Sequence, residues 1–324
     1  MMDEFDFINN IKKTHALDLI GDDCAVLPKD AETDLLVTAD MLVEEIDFRL
    51  DWTTPRLLGH KALAVSLSDI AAMGGAPGWS LLSIGVPEYL WNSKFLDEFY
   101  EGWHELARLF EVRLAGGDVS RTHSKLVIDS VVGGTVPKGK AVLRSGALPG
   151  DAIYVSGPLG GAAAGLKLLQ NGERYLPIRT NPRSGVLLKQ LRPLPRLGLG
   201  IQLRESNLAT SMIDLSDGLS SDLNHLCNAS GVGARIDSSL LPIDDRVVEL
   251  CGRRALDPLQ LALHGGEDFE LLFAVRPEDA ARLPRRVDGV SIKRIGEITD
   301  SSEGVKISEG PRIWDLKPGG WKHF

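Results

Sequence analysis

The chain has 324 residues, 43% of them hydrophobic and 25% charged, enough for two domains that each bury a core. A formal net charge of −9 with no basic stripe excludes a nucleic-acid partner and suits metal ions, or anionic ligands carried in by metal ions. Three scattered cysteines (Cys24, Cys227, Cys251) are too few for a disulfide framework or a zinc site and read as small buried apolar residues.

The opening MMDEFDFINN is acidic and has no apolar core, so it is no signal peptide, and no apolar run approaches a membrane span. A cytoplasmic protein with no membrane partner is expected. Phe5, Ile8 and Ile11 at helical spacing, followed by Lys12 and Lys13, predict a short amphipathic helix. A glycine turn then carries Asp22 and Asp23 into a short strand, and the apolar run 35–40 predicts a strand ending in Asp40.

The next stretch, TPRLLGHKALAVSLSDIAAMGG (54–75), predicts a buried helix. Thr54 can cap it, Pro55 suits its first position, and Gly74 and Gly75 stop it. Asp69 lies near its C-terminal end, on one stripe with Leu58 and Ala62, and no cation stands three or four residues away. The macrodipole opposes a carboxylate there, and burying it unpaired costs several kcal/mol. Three readings stay open from this helix alone: a distant Arg or Lys partner, an exposed face, or a bound cation.

Further strands are predicted at 79–86, 112–115 and 126–132, with a helix over 92–110. Strand and helix alternate through this half, which predicts an α/β domain. The Gly- and Pro-rich segment 134–151 places the boundary near 140–148, dividing the chain into 1–140 and 148–324. Beyond it come a strand at 152–156, a helix over 161–170, a loop at 171–182 and helical stretches to about Arg204. A short strand ending in Asp214, a helix from Asp217 to Ala229 and strands near 232–236, 270–275 and 292–297 follow. The tail 298–324 reads as turn-rich.

Seven acids recur after a glycine turn or at the end of an apolar strand or helix: Asp22, Asp23, Asp40, Asp69, Asp118, Asp214 and Asp217. Any one of them is by default a cap or turn residue. Together, if they converge, they repel one another unless divalent cations sit among them, and oxygen-only donors select Mg²⁺ over zinc. Mg²⁺ so held usually completes its shell with substrate phosphates, which points to a nucleotide. The phosphate loop is not a known one. GTVPKGKA (134–141) nearly matches a Walker A loop, but Ala141 stands where a hydroxyl is required and no helix follows. No G-x-G-x-x-G follows a strand either.

The segments IGDDCAVL, VTADMLVEEIDF, HKALAVSLSDIAAMGGAP, LAGGDVSR, LRSGALPGD, IDLSDGLSSDL, HGGEDFELL and GGWKHF run in order over nearly the whole chain. In them the chain resembles the bacterial thiamine-monophosphate kinases, of the aminoimidazole-ribonucleotide synthetase-like ATP-binding superfamily. The resemblance implies a two-domain α/β (α+β) fold, with an N-terminal sheet-plus-helices domain that forms a barrel with its twin in a homodimer. A C-terminal α/β domain completes the site. It implies transfer of the ATP γ-phosphoryl group to thiamine monophosphate, giving thiamine diphosphate.

Carried over by position, Asp23, Asp40, Asp69, Asp118 and Asp214 hold Mg²⁺ and are the catalytic set. Thr38, Ala39 and Asp217 also reach metal, and Tyr100, Gly117, Asp118, Arg144 and Ser216 contact the nucleotide. Asp47, Glu267 and Trp321 lie on the substrate side, Asp47 where many members have His. A selenophosphate synthetase would carry a reactive Cys in a glycine-rich N-terminal segment, and a carbamoyl-dehydrating maturation protein would end in Cys rather than Phe324. A catalytically silent nucleotide-binding module would have no need of a costly acidic cluster.

Overall fold

The structure is a computed structural model that describes residues 4–176, 182–254 and 256–321. The Phe5 side chain, the end of the predicted loop at 171–182 and the last three residues of GGWKHF lie outside what it describes.

The first half runs α1 (Glu4–His15), β1 (Ala25–Pro28), β2 (Thr33–Val43), α2 (Pro55–Ala72), β3 (Ala76–Pro87) and α3 (Glu88–Trp91). It continues through α4 (Phe95–Leu109), β4 (Arg113–Gly116), β5 (Val119–Thr122) and β6 (Val127–Pro137). Its sheet has the order β1-β2-β6-β3-β4, with β5 also beside β3. β6 is antiparallel to both β2 and β3, so β2-α2-β3 is a βαβ unit split by an inserted strand. The sheet is therefore mixed, although strand and helix alternate in the chain. β6 runs past the predicted end at 132, and Gly134–Pro137 pair with Leu36–Thr33. The near-Walker segment thus begins as sheet, with its backbone committed to a ladder.

α2 forms where its local signals place it. The Thr54 side chain accepts from Leu57 N, Pro55 opens the helix, and Met73 is its C-cap. Gly75 N donates to Ile70 O at 2.9 Å and Gly74 N to Ala71 O at 3.0 Å, with Gly74 at φ +66°, which makes a Schellman stop. Fifteen residues of α2 are buried. One side meets α4 so closely that a Cβ on Gly59 would come 1.9 Å from Phe99 O, and one on Gly102 1.8 Å from Arg56 O. Other sides meet β2, β6 and, from the second half of the chain, α7 (Leu197–Glu205) and β8 (Ala209–Asp214). Leu199, Leu203, Met212 and Phe273 join Leu63, Leu67 and Ile70 in one core, so α2 is the seam between the two sheets.

Around α7 and β8, the second half comprises β7 (Ala152–Ser156), α5 (Gly161–Gln170), α6 (Pro182–Leu191), α8 (Leu219–Ser230), β9 (Gly233–Asp237), α9 (Asp245–Arg254) and α10 (Pro258–His264). It ends with β10 (Leu271–Val275), β11 (Arg286–Val287), β12 (Val290–Thr299), β13 (Val305–Glu309) and β14 (Arg312–Asp315). The sheet order is β14-β13-β9-β12-β7-β10-β8, with β11 beside β12. The tail corrects the turn-rich expectation, because β13 and β14 form a hairpin that extends the sheet. All four residues of β14 are exposed, so its sequence lacks the apolar alternation that marks a half-buried strand. A second core fills this half, from Ile153 and Val155 to Leu223 and Ile307.

Candidate active site

Four separated segments meet at the C-terminal half of α2. Asp23 precedes β1, Asp40 sits on β2, Asp69 on α2, and Asp214 ends β8. One oxygen from each of Asp23, Asp69 and Asp214 lies within 4.8 Å of the others. Thr38 Oγ1 donates to Asp69 Oδ2 at 2.5 Å, and Ser68 Oγ donates to Asp214 Oδ2 at 2.6 Å. From the connector between the sheets, Arg144 grips Asp23 Oδ1 through Nη2 at 2.6 Å and Nε at 3.2 Å, and its backbone N–H donates to Asp22 at 2.7 Å. Asp69 has no ion pair among the described residues, so the distant-cation reading of the helix falls away.

Burial raises every carboxyl in this group. Asp69 is pushed well above the usual carboxylate range by burial, then by the charges of Asp40, Asp214 and Asp23. Burial and Asp23 push Asp214 up to about 8, against the Ser68 hydroxyl and Arg144. Burial pushes Asp40 up to about 6, with Asp129 and Asp23 adding to it and Ser66 opposing. Asp23 is raised by burial in spite of Arg144. Asp23 Oδ2 and Asp40 Oδ2 are buried and accept no hydrogen bond. One guanidinium does not balance four carboxylates. The donor set is hard oxygen only, crowded and underneutralised, and it fits Mg²⁺ or a similar divalent cation.

Beside this cluster opens a cavity of about 700 Å³ whose lining includes Asp40, Asp47, Lys61, Ser216, Glu267 and Trp321. Asp217 also lines it, and its backbone oxygen accepts from Trp321 N at 3.2 Å, tying the tail to the start of α8. Asp47 Oδ2 accepts from Val43 N at 2.8 Å, so this side chain also closes the turn after β2. Glu267 has φ +67° and donates its N–H to Ser216 O at 2.7 Å, which aims its side chain at Lys61, 2.6 Å away.

Other expected site residues stand elsewhere. Asp118 is exposed between β4 and β5 and lies outside the Asp23–Asp69–Asp214 group, while its carbonyl accepts from Ile84 N at 2.8 Å. Gly117 is pressed onto β3, where a Cβ would meet Leu82 O at 1.9 Å. Ala39 is exposed on β2 opposite Val131. Tyr100 stands on α4 against Phe99 and lines a different cleft, with Arg56, His104 and Arg108. Sequence reasoning did not single out Ser68, Lys61, Gln190 or Asp222. Asp222 is buried, accepts from Gly218 N at 2.9 Å and is raised well above the usual range by burial and by Asp217 and Asp214. Lys61 had a legible signal, as a lone cation within a run of buried apolar residues.

Comparison with known proteins places this arrangement in a family. Residues 21–136 match the N-terminal domain, and residues 149–308 the C-terminal domain, of AIR synthase related proteins. The chain is 40% identical over 311 residues to the thiamine-monophosphate kinase of Escherichia coli K12, covering 94% of this chain and 91% of that protein. It is 36% identical to the Bacillus subtilis enzyme of the same name over 339 residues, covering all of both chains. A solved structure described as AaThiL complexed with AMPPCP and TMP superposes with a TM-score of 0.87 at 33% identity, covering 100% of this chain and 97% of that one. With both domains matched in order and full-length identity at this level, the chain belongs to the thiamine-monophosphate kinases of the AIR synthase related family.

Proposed function

We propose that this chain phosphorylates thiamine monophosphate with ATP. A terminal oxygen of the substrate phosphate attacks the γ-phosphorus in line, the bond to the β–γ bridging oxygen breaks, and thiamine diphosphate and ADP leave. The observation that carries the reading is the meeting of Asp23, Asp69 and Asp214 oxygens within 4.8 Å, beside a cavity of about 700 Å³. A relative of the same fold is described with both an ATP analogue and TMP bound.

The attacking phosphate oxygen is already ionised at neutral pH, so the chain needs alignment and charge neutralisation more than a general base. Mg²⁺, when bound, would supply that neutralisation of phosphate charge. In this reading Asp23, Asp40, Asp69 and Asp214 hold the metal, with Thr38 orienting Asp69 and Ser68 orienting Asp214. Asp217 and the Ala39 backbone contribute further contacts. Arg144 and Ser216 take the nucleotide, and Asp47, Glu267 and Trp321 take the substrate.

Gly117, Asp118 and Tyr100 complete the nucleotide site in a homodimer whose N-terminal sheets join into a barrel. Exposed apolar side chains along that sheet, Met41, Leu81, Leu114 and Val119, support this pairing. We divide the chain into an N-terminal unit, 1–140, and a C-terminal unit, 148–324, acting together in the cytoplasm. Among the described residues no helix is long and apolar enough to cross a membrane. The test is product formation from ATP, Mg²⁺ and thiamine monophosphate. No thiamine diphosphate above background sinks the reading, and activity on free thiamine alone reassigns the substrate.

A further inference from the structure

Lys61 is a charged residue of the cavity that the reading above leaves without a task. Its side chain is 4% exposed, with Leu57, Leu58, Ala64 and Val65 at the neighbouring helical positions, and its Nζ lies 2.6 Å from Glu267 Oε1. Glu267 Oε2 accepts from Gln190 Nε2 of α6, so both carboxylate oxygens are held from opposite sides. The Glu267 backbone is fixed as well, left-handed at φ +67° and bonded to Ser216 O. All three side chains line the cavity. A carboxylate gripped at both oxygens and at its backbone is preorganised.

The position along α2 says what it faces. Lys61 precedes Asp69 by eight residues, about 12 Å of helix at 1.5 Å per residue and about 80° around it. Phosphate chemistry belongs at the Asp69 end. The Lys61 end therefore meets the far end of an extended substrate. Glu267 is not a bare anion there, because Lys61 already compensates it, so it is a poor counter-ion for a thiazolium. Each of its oxygens keeps a second lone pair that can accept a hydrogen bond. A neutral ring carrying an amino donor suits that pair.

We propose that Lys61 is a positioning residue that holds Glu267, with Gln190, to read the amino group of the substrate's pyrimidine ring, and so sets specificity at that end. This rests on the kinase reading above. A site built to accept from an amino group rejects an analogue that presents a carbonyl oxygen instead, because two acceptors then face each other.

The test compares thiamine monophosphate with oxythiamine monophosphate, which keeps the thiazolium and phosphate but replaces the amino group by an oxo group. Wild type is expected to favour the amino substrate at least about 30-fold in kcat/KM. In Lys61→Met that preference falls to within about threefold, mainly through KM for the amino substrate, and Lys61→Arg keeps most of it. Because Lys61 acts through Glu267, the double variant K61M/E267Q is expected to match E267Q alone rather than to multiply the two losses. Equal losses on both substrates, or multiplicative losses in the double variant, overturn the inference while leaving the kinase reading intact. A wild type with no turnover of thiamine monophosphate overturns both.

Discussion

Ser68 Oγ donates to Asp214 Oδ2 at 2.6 Å, joining the helix at the centre of the first half to the last residue of a strand in the second. The neighbouring Asp69 accepts from Thr38 at 2.5 Å on the other side. Two adjacent residues of α2 are therefore tied to both sheets, Ser68 to Asp214 of β8 and Asp69 to Thr38 of β2. A rigid helix in a close-packed core is what keeps mutually repelling carboxylates at one place.

Asp69→Asn is expected to abolish turnover and to stabilise the metal-free chain. The buried charge is opposed by its neighbours and by the helix C-terminus, and the amide can still accept from Thr38. Removing it should add about 2 kcal/mol to the free energy of unfolding in EDTA. Thermal melting and a thiamine diphosphate assay on one preparation check this. Surviving turnover would make Asp69 a structural acid.

The metal-free chain is expected to lose stability as pH rises. Asp40 and Asp214 titrate at about 6 and about 8 in the folded state, against 3.8 unfolded. The folded state thus binds more protons between these limits. Its advantage is complete below the unfolded value and is lost as pH climbs through 6 and then 8. In EDTA, melting at pH 5 should exceed that at pH 8.5 by roughly 5 °C. Saturating Mg²⁺ should flatten or reverse this dependence, since the cation binds the ionised form. A metal-free melting temperature that rises with pH would contradict the burial of these acids.

Arg144 separates two roles by substitution. Arg144→Ala leaves Asp23, whose side chain is 1% exposed, without its cation, and should cost about 3 kcal/mol in EDTA. Arg144→Lys keeps a charge but not the two-nitrogen grip on Asp23 Oδ1, so it should fold and bind ATP at least about tenfold more weakly. Calorimetric ATP titration of the lysine variant decides. Unchanged affinity would confine Arg144 to holding Asp23.

Gly59→Ala should destabilise by at least about 3 kcal/mol, because the new methyl would stand 1.9 Å from a backbone oxygen that cannot move without displacing α4. Gly139→Ala serves as a control for packing, since nothing lies within 4 Å of a Cβ there, although its φ of +66° costs some backbone strain. Urea unfolding of both variants measures the difference. Equal destabilisation would mean that the α2–α4 contact is not tight.

The helix α2 was legible from its residues because Thr54, Pro55, Gly74 and Gly75 act on backbone groups no more than five residues away. The acids were legible as a recurring type at the ends of apolar segments. That they converge was not, since no local signal states the distance from Asp69 to Asp214, and it was the resemblance to known kinases that grouped them. Burial of α2 on nearly every side follows from α7 and β8 closing over it, which its own sequence allows but does not require. The edge strand β14 escaped because its four exposed residues carry no apolar alternation.

Lys61 marks the same division from the other side. By itself the sequence determined a helix that carries a lysine and an acid about two turns apart. Only the tertiary structure decided that Lys61 meets Glu267 while Asp69 meets Thr38 and two other acids. The reason is physical: helix formation is settled by hydrogen bonds four residues apart, whereas a site of compensated and uncompensated charge is settled by which remote segments the packed core presses together.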